Sequence, residues 1–401
     1  MGKKIILWGV GLNAEYIYDT LLPECEVVAL VDTDTEKQSK VWKDNLIITG
    51  PEVIKRVAYD YIIVTPQSYA SIEQQITAMG INEKAVIYYW KDEVAQDIFE
   101  SRSNKLLEER NSKNVYRARL DSAPYEWGLK PVPVIESGQD LLKTILKEKK
   151  SLSRFGDGEF EIMRGNNRAW FQSKSDELAR RLLEIFRADD KSVVIAAAQN
   201  FIGLDELKEW AADDIRLYME GQTREDIISF FNPNQKYYDA YVSRPYLLRK
   251  TPEIAQKIFS LFKQIWKNRD IFMVEGEYGR TGVANGLFEG AKSIRRIVCP
   301  AINAWSSYDK ILNCVMNNVC KEDLICISLG PTASVLAYDL AKNGYQALDI
   351  GQLDNEYEWY LRKAEKRISI KGKMVAEVND HYEKDESIDM EYETQVMCRV
   401  V

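Results

Sequence analysis

Two carboxylates, Asp157 and Glu159, stand one residue apart in the segment SLSRFGDGEFEIM, at the end of an apolar run. Glycines flank Asp157, and glycine lets the backbone turn sharply and approach a ligand. Because residues two apart in an extended stretch point to the same side, we expect both carboxylates to face one ion. Hard divalent cations such as Mg²⁺ and Mn²⁺ take carboxylate and phosphate oxygens. The pattern therefore suits a metal and diphosphate site, although an Asp-Gly-Glu triplet taken alone is more often a turn with solvated carboxylates.

Three arginines are candidates for contact with such a diphosphate: Arg154 beside the acidic turn, Arg244 in SRPY and Arg280 in GRTG. A nucleoside diphosphate that departs in a group transfer needs cationic groups to stabilise its charge. Arg280 stands between glycines, which favours close approach to phosphate. Arg244 precedes a proline, where it could instead cap carbonyls or pair with a carboxylate.

The segment DLICISLGPTASVLAYDLAKNGYQALDIG reads as strand, glycine-containing turn, helix and strand. Backbone N–H groups at the start of this helix, near Gly330, together with the Thr332 and Ser334 hydroxyls, could hold a phosphate or a ribose. An ordinary helix cap is the alternative.

Four carboxylates follow the last strand of that unit, in DIGQLDNEYEW. Ligands of open α/β sheets bind outside the carboxyl ends of the strands, so a general base could lie here. We take Asp354 and Glu356 as the candidates, with Asp349 and Glu358 as the other acids of the block. The only histidine, His381, lies in a polar tail segment, which excludes imidazole-based catalysis.

The first 90 residues alternate strand and helix patterns and begin with a turn, Gly9-Val-Gly11, that resembles a dinucleotide fingerprint. Asp32 ends the second predicted strand, where an acid can bond a ribose hydroxyl. These residues predict nucleotide or nucleotide-sugar binding. A structural or assembly role and active NAD chemistry are the alternatives.

Strand patterns return from Ser192 onward, with helical patterns between most of them. The sequence therefore predicts an α/β protein with two Rossmann-like parallel-sheet domains joined by a helical linker. We place the first domain at residues 1–92, the charged and helix-prone linker at 93–121, and the second domain at 122–401.

Composition narrows the class of protein. The net charge is −8 and we find no basic stripe with interleaved aromatics, which argues against nucleic acid as a partner. No apolar stretch reaches the ~18 residues of a membrane span, and the start MGKKIILWGVG runs straight into a strand, so we expect a cytoplasmic protein. The six cysteines are scattered without a CxxC pair, which argues against a zinc site or disulfide framework.

Four blocks together resemble the GT-D glycosyltransferases, a metal-dependent family with a Rossmann-like fold and a DxE motif. They are SLSRFGDGEFEIM and the stretches Tyr241–Lys250, Val274–Asp309 and Leu329–Trp359. Gln352 departs from the pattern, because the resemblance leads us to expect histidine there. The N-terminal domain is similar to small Rossmann-like domains attached to bacterial sugar-modifying enzymes.

The resemblance implies a glycosyltransferase that uses Mn²⁺ or Mg²⁺, held by Asp157 and Glu159, and moves a hexose from a UDP-sugar to a glycan or glycoprotein acceptor. UDP-glucose is the first donor it implies. Two alternatives remain open: an NAD-dependent nucleotide-sugar oxidoreductase centred on Gly9, Gly11 and Asp32, and a non-catalytic nucleotide-sugar-binding module. The oligomeric state is also open, with a homo-oligomer among the options.

Overall fold

The computed structural model describes residues 2–21, 25–66, 68–89, 112–166, 172–373, 375, 378 and 386–400. The chain forms two compact units, Met1–Tyr116 and Arg117–Val401. Each unit is built around one sheet in which all the named strands pair in parallel. The predicted α/β class with two parallel-sheet domains is confirmed. Residues 90–111, most of the predicted linker, lie outside the described residues.

The N-terminal unit has a five-stranded sheet in the order β3-β2-β1-β4-β5. Apolar strands with buried residues pack between helices, as expected for a parallel sheet covered on both faces. The strands are β1 (Lys3–Trp8), β2 (Cys25–Val31), β3 (Ile48–Thr49), β4 (Tyr61–Val64) and β5 (Val86–Tyr88), and the helices are α1 (Leu12–Leu21) and α2 (Ala70–Ala78). Short 3-10 helices span Lys43–Asn45, Pro51–Lys55 and Glu83–Ala85.

The second unit has a nine-stranded sheet in the order β14-β11-β10-β12-β13-β7-β8-β9-β6. Its strands are β6 (Ile135–Glu136), β7 (Ser151–Phe155), β8 (Val193–Ala197), β9 (Tyr237–Asp239), β10 (Asp270–Gly276), β11 (Ser293–Cys299), β12 (Leu324–Ser328), β13 (Gln346–Asp349) and β14 (Val396–Arg399). The strands β6, β7 and β9 were not among the strands predicted from the sequence.

Helices cover both faces of this sheet and bury apolar clusters against it. They are α3 (112–126), α4 (Gly138–Glu148), α5 (Asp157–Met163), α6 (Asp176–Phe186), α7 (Glu209–Tyr218), α8 (Gln222–Phe230), α9 (Pro252–Trp266), α10 (Tyr308–Asn318), α11 (Pro331–Lys342), α12 (Leu353–Leu361) and α13 (Glu386–Gln395). Short 3-10 helices span Leu204–Glu206, Ala240–Ser243 and Ala304–Ser307.

Helix α3 is tied to the second unit by ion pairs with α7. The Arg119 guanidinium lies 2.6 Å from an Asp213 carboxylate oxygen, and Arg216 pairs with Glu126 at 2.8 Å. Asp213 also accepts from Arg216 at 3.1 Å. The end of the predicted linker is thus part of this unit's ion-pair network.

Strand order reverses inside this sheet. β10 leads to β11 on one side, whereas β12 leads to β13 on the other, and β10 and β12 are neighbours. In open α/β sheets, ligands bind at such a reversal, outside the carboxyl ends of the strands. The topology therefore indicates where a site should lie.

Candidate functional site

A cavity of about 270 Å³ lies at the carboxyl ends of the strands in the second unit. Every strand from β7 to β13 sends the residues that follow it into the wall. They include Asp157 and Glu159 after β7, Ala198 after β8, Tyr241 after β9, Gly279 and Thr281 after β10, Ala301 and Asn303 after β11, Gly330 after β12, and Gln352 and Asp354 after β13.

Asp157 and Glu159 both line this cavity, but the extended conformation that we expected for them is wrong. They occupy the first turn of α5, with Gly156 as the N-cap residue. Glu159 turns back and its Oε2 accepts a hydrogen bond from the Gly156 N–H at 2.7 Å. Residues two apart on a helix point about 200° apart around its axis. Capping therefore directs Glu159, while Asp157 is exposed at the start of the helix.

Burial has the largest effect on the pKa of Glu159. It raises the pKa of this carboxyl above its usual range, although the nearby Arg154 guanidinium and the Gly156 N–H act in the opposite direction. Negative charge at a helix N-terminus is stabilised by the aligned peptide dipoles. A divalent cation bound by Glu159 and Asp157 would be a further source of positive charge at this helix end.

Arg154 lines the cavity and pairs with the buried Asp349. The Arg154 Nη2 lies 3.1 Å from Asp349 Oδ1, and the Arg154 Nε donates to the Asp349 carbonyl at 3.3 Å. Burial raises the pKa of Asp349, and the Arg154 charge opposes that rise. Gly351 has a φ of +47°, and a Cβ built there would lie 1.9 Å from Arg154 Nη2. Gly351 therefore leaves the room that the guanidinium fills.

The other two predicted arginines differ in position. Arg244 lines the cavity, near Tyr241. The Arg280 side chain instead lies over the ring of Tyr392, with its Cζ 4.2 Å from the ring centroid, and it is not part of the wall that the described residues form. Its neighbours Gly279 and Thr281 are the residues of that loop that reach the cavity.

The predicted residues of α11 also separate into two groups. Gly330 lines the cavity just before the helix begins. The Ser334 hydroxyl is fully buried and donates to the Arg154 carbonyl at 2.6 Å, while the Ser153 hydroxyl donates to the Ser334 carbonyl at 2.8 Å. Thr332 is fully buried as well. Ser334 therefore fastens α11 to β7 and so supports the strand that presents Arg154.

Asp354 is the one acid of the DIGQLDNEYEW block in the described cavity wall. Its Oδ1 accepts from the Gly282 N–H at 2.8 Å and from Asn285 Nδ2 at 2.7 Å, and its Oδ2 lies 2.8 Å from Lys373 Nζ. Burial raises the pKa of Asp354, while the charge of Lys373 opposes the rise. Asp354 thus connects its own helix, α12, to the loop at residues 282–285 and to Lys373 at the edge of the cavity.

Glu356 and Glu358 have different surroundings from Asp354. Glu356 is fully buried, and its Oε2 accepts from the backbone N–H groups of Tyr246 and Leu247, both at 2.9 Å. Glu358 lies 2.9 Å from Lys373 Nζ. Burial alone would raise the pKa of Glu358. Lys373 and other partners nevertheless hold that pKa below its usual range. These two side chains shape the loops around the cavity.

Two residues of the site were missed from the sequence: Tyr241 in the cavity wall, and Lys373, the partner of Asp354. Tyr241 follows β9, and its hydroxyl donates to Asn200 Oδ1 at 2.8 Å. Burial and the negative charge of Asp157 raise the pKa of this phenol. Its place directly after a strand, in a block already noted for the family resemblance, was the signal that could have found it. Lys373 had no such signal, because its partners are brought to it only by the fold.

Gln352 stands in the cavity wall at the start of α12, and its Oε1 accepts from Asn355 Nδ2 at 2.5 Å. An amide at this position can orient a ligand by hydrogen bonds but cannot exchange a proton at neutral pH. His381 lies outside the described residues.

In the N-terminal unit, the predicted fingerprint residues Gly9 and Asp32 already contact other parts of the protein. Gly9 has a φ of +100°, and a Cβ there would lie 2.3 Å from Pro66 Cγ, so this glycine is required by packing. Asp32 Oδ2 accepts from the Val10 N–H at 2.8 Å and from Lys37 Nζ at 3.0 Å. Gly11 is exposed. To bond a ribose, Asp32 would have to share these partners.

Among the described residues, no group of three or more His, Cys, Asp and Glu side chains could hold a metal ion without further ligands. A cation at Asp157 and Glu159 would therefore take the rest of its ligands from substrate and water, which is usual for Mg²⁺. Of the described helices, none is long and apolar enough to cross a membrane.

The family model for the glycosyltransferase GT-D fold matches residues 152–378, more than half of the 401 residues. The chain belongs to the GT-D glycosyltransferase family. The matched residues include every described residue of the cavity wall. A second model, described as C2185-like, N-terminal, matches residues 1–87 of this GT-D protein.

Three relatives agree with this assignment. The chain is 35% identical over 262 residues to a probable glycosyl transferase Gly from Streptococcus gordonii, and 32% identical over 275 residues to the glycosyltransferase GlyD from Streptococcus pneumoniae serotype 4. These matches cover 65% and 68% of this chain but only 38% and 33% of the relatives. A solved glycosyltransferase (DUF1792) from Streptococcus sanguinis is 33% identical, with a TM-score of 0.62, over 67% of this chain and 100% of that one.

Proposed function

We propose that this GT-D protein is a metal-dependent glycosyltransferase that moves a hexose from a UDP-sugar donor to a glycan or glycoprotein acceptor. The observation that carries the proposal is the meeting of Asp157, Glu159, Arg154 and Arg244 in one cavity at the carboxyl ends of the sheet. Two acids and two guanidiniums there suit a cation and a diphosphate together. Glucose is the first donor sugar to test.

Asp157 and Glu159 would hold Mn²⁺ or Mg²⁺, as oxygen ligands fit a hard cation. The bound cation would supply positive charge to the diphosphate leaving group. Arg244 lies in the same wall and would bind the diphosphate directly, and the start of α11 at Gly330 offers backbone N–H groups to phosphate or ribose. Arg154 is held by Asp349, so its position is fixed before the donor arrives.

Asp354 is our candidate for the residue that accepts a proton from the acceptor hydroxyl, because it lines the cavity and burial raises its pKa. Proton transfer would require it to loosen one of its bonds to Gly282, Asn285 or Lys373. We assign Glu356 a supporting role, since its carboxylate holds the backbone of residues 246–247.

The test is release of UDP from UDP-glucose and other UDP-sugars, with Mn²⁺ or Mg²⁺ and after treatment with EDTA. We expect turnover with the cation, loss on chelation and recovery when the cation is restored. Full activity in EDTA would refute metal dependence. NADH formation from a nucleotide sugar would instead favour an oxidoreductase centred on Gly9, Gly11 and Asp32, and binding without turnover would favour a non-catalytic module.

A further inference from the structure

The segment 386–400 returns the chain to the edge of the large sheet. Helix α13 leads into β14, which pairs in parallel with β11, with Val396 opposite Arg296 and Cys398 opposite Ile297. This segment lies beyond the residues that match the GT-D model, which end at 378. It nevertheless contacts the loop that follows β10, part of the cavity wall.

Tyr392 of α13 is the centre of that contact, and it is fully buried. Two guanidiniums lie over its ring: the Cζ of Arg280 at 4.2 Å and the Cζ of Arg296 at 5.1 Å from the centroid. Cations over an aromatic face are attracted to its electron-rich π system, most strongly where water is excluded. The Tyr392 hydroxyl has no hydrogen-bond partner among the described residues. The ring, rather than the hydroxyl, therefore makes the contact.

Arg296 extends the contact to the backbone of the loop. It is fully buried, pairs with Glu275, and donates to the Thr281 carbonyl at 2.9 Å and to Gln395 Oε1 at 2.7 Å. Glu275 Oε2 in turn accepts from the Thr281 N–H at 2.8 Å. Both the backbone N–H and the carbonyl of Thr281 are thus held by hydrogen bonds.

Arg280 has a left-handed backbone with a φ of +48°, which is uncommon for a residue with a side chain. Such a conformation persists only where its surroundings enforce it. Here the side chain is fixed by the Tyr392 ring and by a hydrogen bond to the Glu277 carbonyl. Gly279 and Thr281, on either side, face the cavity.

We propose that Tyr392 is a positioning residue for the loop 277–283, and that through Arg280 it sets the shape of the donor-binding wall. The role of the loop in donor binding rests on the proposed function. Tyr392 is not itself part of the cavity wall that the described residues form. It holds the guanidinium of Arg280 behind the loop and so keeps Gly279 and Thr281 in the wall.

Two substitutions separate the ring from the rest of the residue. Tyr392→Phe removes only the unpartnered hydroxyl and is the matched control, while Tyr392→Leu keeps an apolar side chain but removes the π face. We expect Tyr392→Leu to raise the KM for the donor about tenfold with a much smaller change in kcat, and Tyr392→Phe to keep both. Because the contact is made through Arg280, adding Arg280→Ala to Tyr392→Leu should cause little further loss.

Hydrogen exchange tests the same inference without donor or turnover. Amides of residues 277–283 should exchange faster in Tyr392→Leu than in the native protein, and at the native rate in Tyr392→Phe. Unchanged exchange in Tyr392→Leu would overturn the positioning role, and so would additive effects of the two substitutions on donor KM. A native protein that binds no nucleotide sugar would refute the proposed function, whereas the exchange result would still decide whether Tyr392 positions the loop.

Discussion

Arg154 and Asp349 form an ion pair with 3.1 Å between Nη2 and Oδ1, directly beside the backbone of Gly351. The pair joins the end of β7 to the end of β13, adjacent strands of the sheet. Because Asp349 is only 2% exposed, the guanidinium is the group that balances its charge. The position of Arg154 in the cavity therefore depends on the absence of a side chain at residue 351.

Gly351→Ala should displace the Arg154 guanidinium, because the new Cβ would lie 1.9 Å from Nη2. We expect donor turnover to fall by a factor of about 10 to 100, the range for a misplaced positioning group. Steady-state kinetics with a UDP-sugar measures the loss. Gly344→Ala is the matched control: its φ is also positive, +82°, but the nearest atom is Lys321 Nζ at 3.5 Å, away from the cavity. Equal activity losses in both variants would mean that backbone strain alone is responsible.

Asp157→Asn should lower metal-dependent turnover by about 100-fold or more, since it removes a charged oxygen ligand from the proposed cation site. Asp176→Asn makes the same chemical change at the same first position of a helix, α6, outside the cavity wall. That control should keep native activity. The Mn²⁺ concentration needed for half-maximal rate distinguishes a loss of metal affinity from a loss of folded protein. If Asp157→Asn needs the same Mn²⁺ concentration as the native protein, Asp157 is not a metal ligand.

Lys373→Met should destabilise the second unit by about 3 kcal/mol, because it leaves the buried Asp354 and Glu358 carboxylates without their shared cation. Lys292→Met removes an ammonium that pairs with Asp270 at 2.8 Å but is 68% exposed. Exposed pairs contribute less than about 1 kcal/mol, so this control should unfold almost like the native protein. Chemical denaturation measures the free energy of unfolding of both variants. If Lys373→Met lowers it as little as Lys292→Met does, the buried ammonium is not needed for stability.

Stability should depend on pH through Asp190. Burial alone would raise the pKa of Asp190. Hydrogen bonds from Lys342 and Ser192 outweigh that effect and lower the pKa from 3.8 to about 2. A lowered pKa in the folded state gives stability that is complete above the ordinary value and is lost as the pH falls toward about 2. Asp190→Asn should therefore lower the melting temperature at pH 7, and the difference should narrow as the pH drops below about 4.

The control for that experiment is Asp189→Asn, the same change at the exposed neighbouring residue. It should leave the melting temperature near the native value at every pH. A difference between Asp190→Asn and the native protein that stays constant down to about pH 2 would contradict the assigned ion pair with Lys342.

A chain that begins at residue 112 should fold and retain measurable donor hydrolysis, because every wall residue lies after residue 150. A chain that begins at residue 122 should be less stable, since it lacks Arg119, which pairs with Asp213 and Glu209. Thermal melting and UDP release compare the two. A folded protein from residue 112 that binds no donor would show that the N-terminal unit completes the nucleotide site.

The parallel-sheet architecture could be predicted because apolar runs such as β8 and β12 are buried along nearly their whole length. Asp157 and Asp354 could be placed near a site because each closely follows such a strand, and strand ends meet at one edge of the sheet. The conformation around Asp157 could not be predicted, since the capping by Glu159 depends on a side chain that competes with an extended backbone.

The directions of side chains were harder to predict from the sequence than the positions of strands and helices. Arg280 was expected to face phosphate, but Tyr392, more than 100 residues later in the chain, holds it elsewhere. Ser334 was expected to bind a ligand and instead donates to the Arg154 carbonyl. Lys373 gave no local pattern at all. Each of these contacts joins segments that are distant in sequence, which periodicity and motif spacing do not report.

The cavity wall takes its residues from the ends of every strand from β7 to β13, so it exists only when these seven strands are assembled in the sheet. A ligand that fills it binds the folded unit and not the unfolded chain. Mass action then couples occupancy to folding: at about 100 times its Kd, a ligand adds about 2.7 kcal/mol to the free energy of unfolding. Under the proposed function, donor binding would thus stabilise the whole second unit against unfolding as well as supply the reaction.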